Sequence, residues 1–452
     1  MNLESISIKE QVEKAKERLE PIKPITIDDV RQVLDITIKK DDENKIVTFL
    51  AMLAAYTDNA QFNISFNAPS SSGKSFIPLE VSSLFPSEDV MKYGNCSPAA
   101  FFHENGVYNK ETNEIFIDLS RKIIIFLDMP HPLLLEKLRS LLSHDEKEMK
   151  SKITDKSERG GHKTKNVVLK GFPSVIFCSA NSKLDEQEMT RFILLSPQTD
   201  MDKVIQGINL SVKRESDKRR YYQELNANPA RRALVERIAA IKDAGIDEII
   251  IENQESVRDR FLSNIPRPQP RNQRDVKRLL SIIKSIALLN LWTRRREGNT
   301  LYASEEDVSA GFDVWNKISL CQELQVSPYI YQFYEQIILP LWNKPQFDEF
   351  TNEPIPEEKK LGVNRQTMLA QYYHIHGRPL SMDKLRNEYL PGLKASGIIL
   401  EEPDPNNRKW LLTYPAIAKR EINEKVNEDE EHSVADLGVD KNDEISAEDV
   451  PF

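Results

Sequence analysis

The chain has 452 residues, of which 39% are hydrophobic and 29% are charged, and its formal net charge is −9. This length accommodates two or three domains with apolar cores. No stretch approaches the roughly 18 apolar residues of a membrane span, and the charged N-terminal segment lacks the pattern of a signal peptide. The three cysteines are too scattered for a disulfide framework or a zinc site. We therefore expect a cytoplasmic protein without a membrane partner.

The charge is unevenly distributed along the chain. Residues 421–452 contain twelve acidic and two basic residues, which gives this tail a net charge of −10. Residues 1–420 therefore carry a net charge of +1, with local basic clusters. Because the acidic excess belongs to the tail, the overall charge does not argue against a nucleic-acid partner.

Three short helices are predicted ahead of the first strand. Residues 5–20 are rich in Glu and Lys. Thr26 is a candidate N-cap for a helix that reaches Ile38, and residues 44–56 carry an apolar face. We interpret residues 1–58 as a helical lead-in to the domain that follows, because these helices are too few for a separate large domain.

Residues 62–75, FNISFNAPSSSGKS, predict a strand, a tight loop and the start of a helix. They nearly fit the phosphate-loop pattern G-x-x-x-x-G-K-[ST], with Gly73, Lys74 and Ser75 in register and Ala68 in place of the first glycine. The backbone N–H groups of such a loop, together with the positive end of the helix dipole, bind phosphate. The alternative is a serine-rich turn before a helix.

This pattern predicts ATP and Mg²⁺ as cofactors. Lys74 would reach the β- and γ-phosphates, and the Ser75 hydroxyl would bind the magnesium ion. The predicted nucleotide-binding residues are Pro69, Ser70, Ser71, Ser72, Gly73, Lys74 and Ser75.

Strands and helices alternate after this loop. Residues 107–118 predict two strands around a polar turn, and residues 150–170 predict two more around residues 157–163. The apolar runs 123–127 and 175–178 are typical of strands buried in a parallel sheet, and a helix is predicted over residues 132–142. Residues 59–202 therefore indicate a doubly wound α/β domain of the ATPase kind.

Two polar residues follow the buried strands. Asp128 ends the first, where a phosphate-loop ATPase places the carboxylate that binds Mg²⁺. A helix cap before Pro130 is the alternative for Asp128. Asn181 ends the second strand and is predicted to orient the attacking water, with a plain turn residue as its alternative.

The second half of the chain changes character. Residues 203–262, 274–294 and 304–324 have helical patterns, with Ser304 as the N-cap of the last helix and a Pro-rich linker at 265–273. Residues 203–344 are therefore predicted to be an all-helical lid region. After a Pro- and Glu-rich linker, three helices and a hairpin over residues 364–414 suggest a winged-helix domain within 345–418. Residues 419–452 are predicted to be a disordered acidic tail.

The order of phosphate loop, aspartate strand, hairpin, Asn-ending strand and helical lid resembles that of AAA+ ATPases. This order of motifs resembles more closely that of helicases of the minichromosome-maintenance type, including those carried by bacterial mobile elements. The resemblance covers residues 60–340 and is carried by four stretches: residues 94–101 with the hairpin 107–118, residues 152–170, residues 190–192 and residues 273–276.

The resemblance implies an inter-subunit ATPase. Arg191 matches the family arginine that reaches a neighbour's nucleotide, which implies a homo-oligomeric ring, expected to be a hexamer. Arg274 matches the arginine of the lid. The hairpin 152–170 matches one that contacts single-stranded DNA in the ring channel, through Arg159, His162, Lys163 and Lys165. A surface arginine and a solvated hairpin are the respective alternatives.

The chain departs from the family pattern in two places. The family aspartate is followed by a glutamate that polarises water, whereas this chain has Met129. Glu136, Asp145 or Glu146 is a candidate substitute, and slow hydrolysis is the other interpretation. The large N-terminal collar of cellular family members is also missing.

The C-terminal part carries two further candidate contacts. Lys384, Arg386 and Arg408 would bind duplex DNA if the winged helix is a DNA-binding domain; packing on the ring is the alternative. The last residues, Asp449, Val450, Pro451 and Phe452, resemble the C-terminal tip of bacterial single-stranded-DNA-binding proteins. This tip implies docking on host replication proteins, with a generic acidic tail as the alternative.

Together these features predict an ATP-dependent DNA helicase or translocase that acts as a ring in the replication of a plasmid or mobile element. An ATP-switched DNA-binding loader, initiator or regulator with little turnover is the second interpretation. A degenerate ATPase scaffold is the third.

Overall fold

A computed structural model describes residues 23–94, 96–97, 101, 106–112, 114–144, 146–155, 163–179, 191–265, 267–347, 351–356 and 359–416. The chain divides into two compact units, Met1–Tyr329 and Ile330–Phe452. The predicted helix at 5–20, the hairpin tip at 157–162 and the acidic tail at 419–452 lie outside the described residues.

The described part of the first unit begins with two helices that share the apolar core of its main sheet. Helix α1 (Ile27–Leu34) starts at Thr26, whose hydroxyl accepts from the Asp29 N–H in a capping box, as the sequence predicted. Helix α2 (Asp42–Ala54) is buried on all sides from Asn44 to Ala54, because it lies in the same apolar core as the main sheet.

Among the described residues up to Leu195, nine strands build two sheets. They are β1 (Asn63–Asn67), β2 (Val90–Tyr93), β3 (Val107–Asn109), β4 (Glu114–Asp118), β5 (Ile123–Phe126), β6 (Glu148–Asp155), β7 (Lys163–Lys170), β8 (Ser174–Ser179) and β9 (Phe192–Leu195). The central sheet has the order β2-β5-β8-β1-β9, and all four of its strand pairs are parallel. Because the pairs are parallel, the carboxyl ends of all five strands share one edge, here called the carboxyl edge, and their amino ends share the amino edge.

The two predicted hairpins join in a second sheet with the order β3-β4-β7-β6. The pairs β3–β4 and β6–β7 are antiparallel, whereas β4 and β7 run parallel. Val167 and Leu169 of β7 are buried in a second apolar core, which also contains Phe126 and Phe177 of the central sheet. The hairpins are therefore anchored to the central sheet through that core.

Two helices follow central strands. Helix α3 (Phe76–Ser82) starts directly after Ser75, and a 3-10 turn (Ser87–Asp89) leads into β2. Helix α4 (Pro132–Leu142) follows β5, with the predicted bounds. Its N-cap is His131, whose Nδ1 accepts from the Leu133 N–H at 3.2 Å.

The region after β9 is mostly helical. Its helices are α5 (Met201–Ser216), α6 (Lys218–Ala227), α7 (Pro229–Asp243), α8 (Gln254–Ser263), α9 (Asn272–Leu289), α10 (Glu305–Asn316) and α11 (Ser319–Glu323), with a 3-10 turn at Leu291–Thr293. Helix α9 contacts both α2 and α10 and contributes to the core of the central sheet. Ser304 caps α10 with Asp307, as predicted.

The prediction that residues 203–344 are all-helical was wrong. Three short strands, β10 (Glu248–Ile251), β11 (Arg296–Glu297) and β12 (Thr300–Ala303), form a sheet in the order β10-β12-β11. The run of three isoleucines in β10 favours a strand, and Gly298 turns the β11–β12 hairpin with a φ of +62°. Strands of two to four residues are too short for a clear period-two pattern.

The second unit combines helices with a small antiparallel sheet. Helix α12 (Pro328–Phe333) crosses the boundary and is followed by a π-helical segment (Tyr334–Ile338) and α13 (Leu339–Asn343). Then come β13 (Val363–Asn364), α14 (Arg365–His376), α15 (Met382–Lys384), a π-helical segment (Leu385–Tyr389), α16 (Leu390–Ala395), β14 (Ile399–Pro403) and β15 (Leu411–Pro415). The sheet order is β13-β15-β14, so the predicted C-terminal hairpin is confirmed.

The residues from Met382 to Ala395 form consecutive helical segments, whereas the sequence predicted two separate helices. A π-helical segment precedes Pro391, and the first π-helical segment of this unit likewise precedes Pro340. Proline removes a backbone N–H and crowds the preceding turn. The wider π turn accommodates it without ending the helix.

Candidate functional site

The serine-rich loop (residues 68–75) connects the carboxyl end of β1 to α3. Gly73 has a φ of +92°, and Ser71 has a φ of +64°, which is uncommon for a residue with a side chain. The N–H groups of Phe76 and Ile77 donate to the Gly73 carbonyl, so the helix starts immediately after the loop. The Ala68 N–H donates to the Ser179 carbonyl at 3.3 Å, which fixes the start of the loop beside the end of β8.

The interior of this loop leaves hydrogen-bonding groups for an anion. Within the described residues, no backbone N–H from Ser70 to Ser75 donates to another backbone carbonyl. Among the described residues, the buried Ser72 hydroxyl and the buried side-chain amide of Asn67 have no hydrogen-bond partner. Buried polar groups are nearly always paired, so unpaired ones at one loop indicate a missing partner. These donors suit the oxygen atoms of a phosphate group.

Three of the predicted site residues lie close together at the carboxyl edge. Cys178 lies near the end of β8, and its Sγ donates to the Lys74 carbonyl at 3.4 Å. Burial raises the pKa of the Cys178 thiol to about 12; the Ser75 hydroxyl and the Lys74 charge oppose this rise, and the Asp128 charge adds to it. The Ser75 hydroxyl and the charges of Lys74 and Asp128 therefore all act on this one thiol.

The charged members of this group suit a metal-bound phosphate. Asp128 is exposed, and its carboxylate accepts only from the Met129 N–H at 2.8 Å among the described residues. Lys74 makes no ion pair within the described part of the chain. No group of three or more His, Cys, Asp or Glu side chains there has a metal-site arrangement. A magnesium ion carried by a nucleotide needs only one or two protein oxygens, which Ser75 and Asp128 fit.

Strand β8 separates β1 from β5 in the central sheet. The serine-rich loop and Asp128 therefore lie on either side of the end of β8, where a ligand between them would contact the residues that follow this strand. Asn181, the predicted water-orienting residue, is two positions beyond Ser179 and lies outside the described residues.

The structure gives Met129 an apolar role. Its side chain is half-buried and packs against the core that contains Phe126 and Leu134. A glutamate at this position would lose those contacts and carry its charge to the edge of an apolar core.

The candidate substitutes for a glutamate differ in position. Glu136 is exposed in α4, whose 11 residues extend over roughly 16 Å at 1.5 Å per residue. The end of α4 lies at the amino edge, because the Asn63 side chain donates to the Leu142 carbonyl at 2.9 Å. Glu146 follows that end, so it lies at the opposite edge of the sheet from Asp128. Asp145 lies outside the described residues.

Arg191 and Arg274 lie together at the amino edge. They line a cavity of about 380 Å³, here called the basic cleft, whose other basic residues are His144, Lys277, Arg278 and Lys284. Asn63, the first residue of β1, also lines it, and no acidic residue does so among those described. The arginines are therefore at the opposite end of β1 from Lys74. They cannot contact a nucleotide in the loop of their own chain without a large rearrangement.

Local contacts hold the walls of the basic cleft. The Arg191 Nε donates to the Ser143 Oγ at 2.7 Å, which ties β9 to the end of α4. The carboxylate of Asp275 pairs with Arg271 at 3.1 Å and Arg278 at 2.9 Å. Burial lowers the pKa of Arg278 to about 10 and also lowers the pKa of Lys284. The exposed Arg274 and Lys277 complete the positive lining.

The predicted DNA contacts are only partly described. Arg159 and His162 lie outside the described residues, and Lys163 and Lys165 belong to β7, with side chains that are not described. Lys384, Arg386 and Arg408 are exposed in the second unit, the first two on consecutive helical segments and the third in the β14–β15 turn.

Sequence reasoning missed Cys178, Lys277 and Lys284. The position of Cys178 follows from the insertion of β8 between β1 and β5, which no local pattern shows. The two lysines follow Arg274 on α9 at helical spacings of three and ten residues, which could have been recognised once that helix was placed.

No protein-family model matches the chain, and no curated protein sequence matches it at a significant level. None of the helices within the described ranges combines the length and the apolar character needed to cross a membrane.

Proposed function

We propose that this protein is an ATP-dependent DNA helicase or translocase that acts as a ring, expected to be a hexamer, in the replication of a plasmid or mobile element. The proposal includes a phosphate-loop ATPase core of the AAA+ kind. Residues 69–75 bind the phosphates of ATP, and Ser75 and Asp128 hold Mg²⁺.

The observation that carries the proposal is that Lys74 and Ser75 follow β1 and Asp128 follows β5, on either side of the end of β8 that contains Cys178. The three residues come from two strand ends of a parallel sheet, beside a loop with unpaired buried polar atoms. This arrangement provides a cation for the phosphates and two oxygen ligands for the metal ion. A serine-rich turn without a ligand would not require a lysine and a carboxylate on either side of one strand end.

The separation of the two edges supports the ring. Arg191 and Arg274 share the basic cleft at the amino edge, whereas the phosphates bind at the carboxyl edge. A head-to-tail neighbour brings one edge to the other, so both arginines act on the nucleotide of the adjacent subunit.

Met129 supports a second candidate, an ATP-switched loader, initiator or regulator with little turnover. The side chain is packed in an apolar core, so the position expected for the catalytic glutamate supplies no base. Glu136 is the remaining described candidate near the carboxyl edge. Slow hydrolysis would still permit a switch that depends on nucleotide binding.

The contacts with DNA and with host proteins remain proposals from the resemblance. The hairpin β6–β7 would track single-stranded DNA with Arg159, His162, Lys163 and Lys165. The second unit would bind duplex DNA as a winged helix, and the exposure of Lys384, Arg386 and Arg408 is compatible with this role. Residues 449–452 would dock on host replication proteins, and unchanged binding after deletion of Pro451 and Phe452 would contradict that docking.

The test is an ATPase and strand-displacement assay with and without single-stranded DNA. We expect DNA to stimulate hydrolysis and the wild-type protein to displace a strand, and both activities to be lost in Lys74→Ala and Arg191→Ala. The matched controls are Lys218→Ala and Arg220→Ala, which remove exposed cations of α6. If ATP binds but DNA neither stimulates hydrolysis nor is unwound, the helicase proposal fails and the switch remains.

A further inference from the structure

Helix α5 turns its apolar side outward. Every one of its residues is described, and none of them is buried. Its exposed apolar side chains recur at helical spacing along one face, here called the outer stripe: Met201 is 66% exposed, Val204 51%, Ile205 50%, Ile208 56% and Val212 59%. A contiguous apolar face of this kind marks an interaction surface rather than scattered surface residues.

The opposite face of α5 attaches the helix to the first unit through polar contacts. Lys203 forms an ion pair with the buried Asp41 and donates to the Gln198 carbonyl at 2.8 Å. Arg214 approaches Glu80 of α3 at 4.0 Å. These contacts fix the rotation of the helix, so the outer stripe does not turn inward.

A complementary apolar surface lies elsewhere on the same unit. A groove of about 820 Å³, here called the apolar groove, runs between β10, α8 and the first half of α9. Its walls include the apolar side chains of Ile250, Phe261, Leu262, Val276 and Leu280. Leu262 is 44% exposed, so the groove is open to a partner.

The two surfaces lie at opposite edges of the central sheet. Helix α5 follows the carboxyl end of β9, where the Ser196 hydroxyl donates to the Asn67 carbonyl at 2.6 Å. The apolar groove adjoins the basic cleft at the amino edge, because Leu280 and Lys284 line both. One chain therefore carries the outer stripe beside its serine-rich loop and the apolar groove beside its cationic cleft.

We propose that the outer stripe of one copy seats in the apolar groove of the next copy. A second copy is the occupant that fits both surfaces. When its outer stripe lies in the apolar groove, its phosphate-binding edge, with the Asp128 carboxylate, faces the basic cleft of the first copy. Different patches meet on the two partners, so the contact is head-to-tail and generates a ring or a filament. The argument from charge rests on the proposed function, whereas the apolar match does not.

The test places one negative charge on each surface of the full chain. Ile208→Glu disrupts the outer stripe and Leu262→Glu disrupts the apolar groove, and both positions are exposed, so the fold is retained. Gln206→Glu adds the same charge to α5 away from the stripe and is the control. Masses are measured by sedimentation and native mass spectrometry, with and without MgATP.

We expect the wild type and the control to assemble and each single variant to associate at least about tenfold more weakly, because an unpaired carboxylate is costly in an apolar contact. An equimolar mixture of the two variants should give heterodimers and no larger species. The groove variant contributes an intact stripe and the stripe variant an intact groove, so a single contact forms.

A wild type that stays monomeric in both conditions, or single variants that assemble like the control, would overturn the proposal. Variants that fail to associate when mixed would point to contact between identical patches and would overturn it as well. If the wild type is monomeric and aggregates only after deletion of residues 1–22, that segment covers the outer stripe instead of a second copy. None of these masses depends on hydrolysis, so loss of ATPase activity with intact assembly would contradict the proposed function alone.

Discussion

A mixture of two inactive variants should recover hydrolysis if the nucleotide site is shared between subunits. Lys74→Ala removes the phosphate-binding cation at the carboxyl edge, and Arg191→Ala removes an arginine of the basic cleft at the amino edge. Each variant alone inactivates every site of its ring. Loss of a trans-acting arginine costs roughly 10³ to 10⁵ in rate, so the background is low.

The size of the recovery follows from the geometry. Each site combines the loop of one subunit with the cleft of the next, because the two edges lie at opposite ends of β1. In a random equimolar ring, about one interface in four joins an intact Lys74 to an intact Arg191. We therefore expect roughly a quarter of the wild-type activity if the sites work independently.

For the assay, the two variants are co-expressed with different affinity tags, and mixed rings are purified through both tags. Hydrolysis of radiolabelled ATP by these rings is then measured under single-turnover conditions. A mixture of Lys74→Ala with the control Arg220→Ala should show about half of the wild-type activity, since Arg220 lies outside the proposed site and every subunit then supplies an intact Arg191. Recovery with Arg220→Ala but none with Arg191→Ala would refute the assignment of Arg191 to the neighbour's site. It would indicate that both residues act within one chain.

Three further predictions concern single side chains of the first unit. Tyr56→Phe should lower the free energy of unfolding, measured in urea, by about 1.5–3 kcal/mol, because the buried Tyr56 hydroxyl donates to the Asp89 carboxylate at 3.0 Å. The control is Tyr302→Phe, which removes an exposed hydroxyl. Equal losses of stability in the two variants would contradict the prediction. Cys178 should react with iodoacetamide about a thousandfold more slowly than an ordinary thiol at pH 8, because its pKa is raised to about 12. The labelling rates are compared by peptide mapping. Labelling of Cys178 as fast as that of the half-buried Cys321 would refute the prediction. Burial raises the pKa of Glu80 above the ordinary value of a glutamate carboxyl, so the folded state loses stability as the pH rises through the range in which this carboxyl ionises. Glu80→Gln should therefore be more stable than the wild type in urea at pH 7, with a difference that shrinks as the pH falls toward 4.5; a difference that is the same at both pH values would argue against the buried carboxyl.

The local features of the fold were accessible from the sequence. The apolar run 123–127 was confirmed as a buried strand, and α4 has the predicted bounds. Thr26 and Ser304 were recognised as caps because a hydroxyl before an acidic first turn has a specific chemistry. The pairing of two strands around each polar turn was likewise confirmed.

The arrangement of the candidate site was less accessible. The sequence placed Lys74, Ser75 and Asp128 at strand ends, and parallel pairing brings such ends together. It did not predict β2 or β9, because four-residue edge strands carry little pattern. Without β9, nothing indicated that Arg191 lies at the amino edge beside Arg274.

The outer stripe shows a different limit. The spacing of Met201, Val204, Ile208 and Val212 is that of any amphipathic helix, which normally packs inward. The exposure of these side chains and the polar contacts of Lys203 and Arg214 reveal that the helix is turned the other way. Hydrophobic periodicity gives the face of a helix but not the partner that covers it.

The central claim is that the serine-rich loop binds the phosphates of MgATP through Lys74. The most direct measurement is an equilibrium titration of the protein with fluorescently labelled ATP, with and without Mg²⁺. We expect wild-type and Lys218→Ala proteins to bind equally, and Lys74→Ala to bind at least about a hundredfold more weakly, since a lost charge-assisted phosphate contact is worth roughly 3 kcal/mol. Equal affinity of Lys74→Ala and Lys218→Ala, or no binding by the wild type, would contradict the claim.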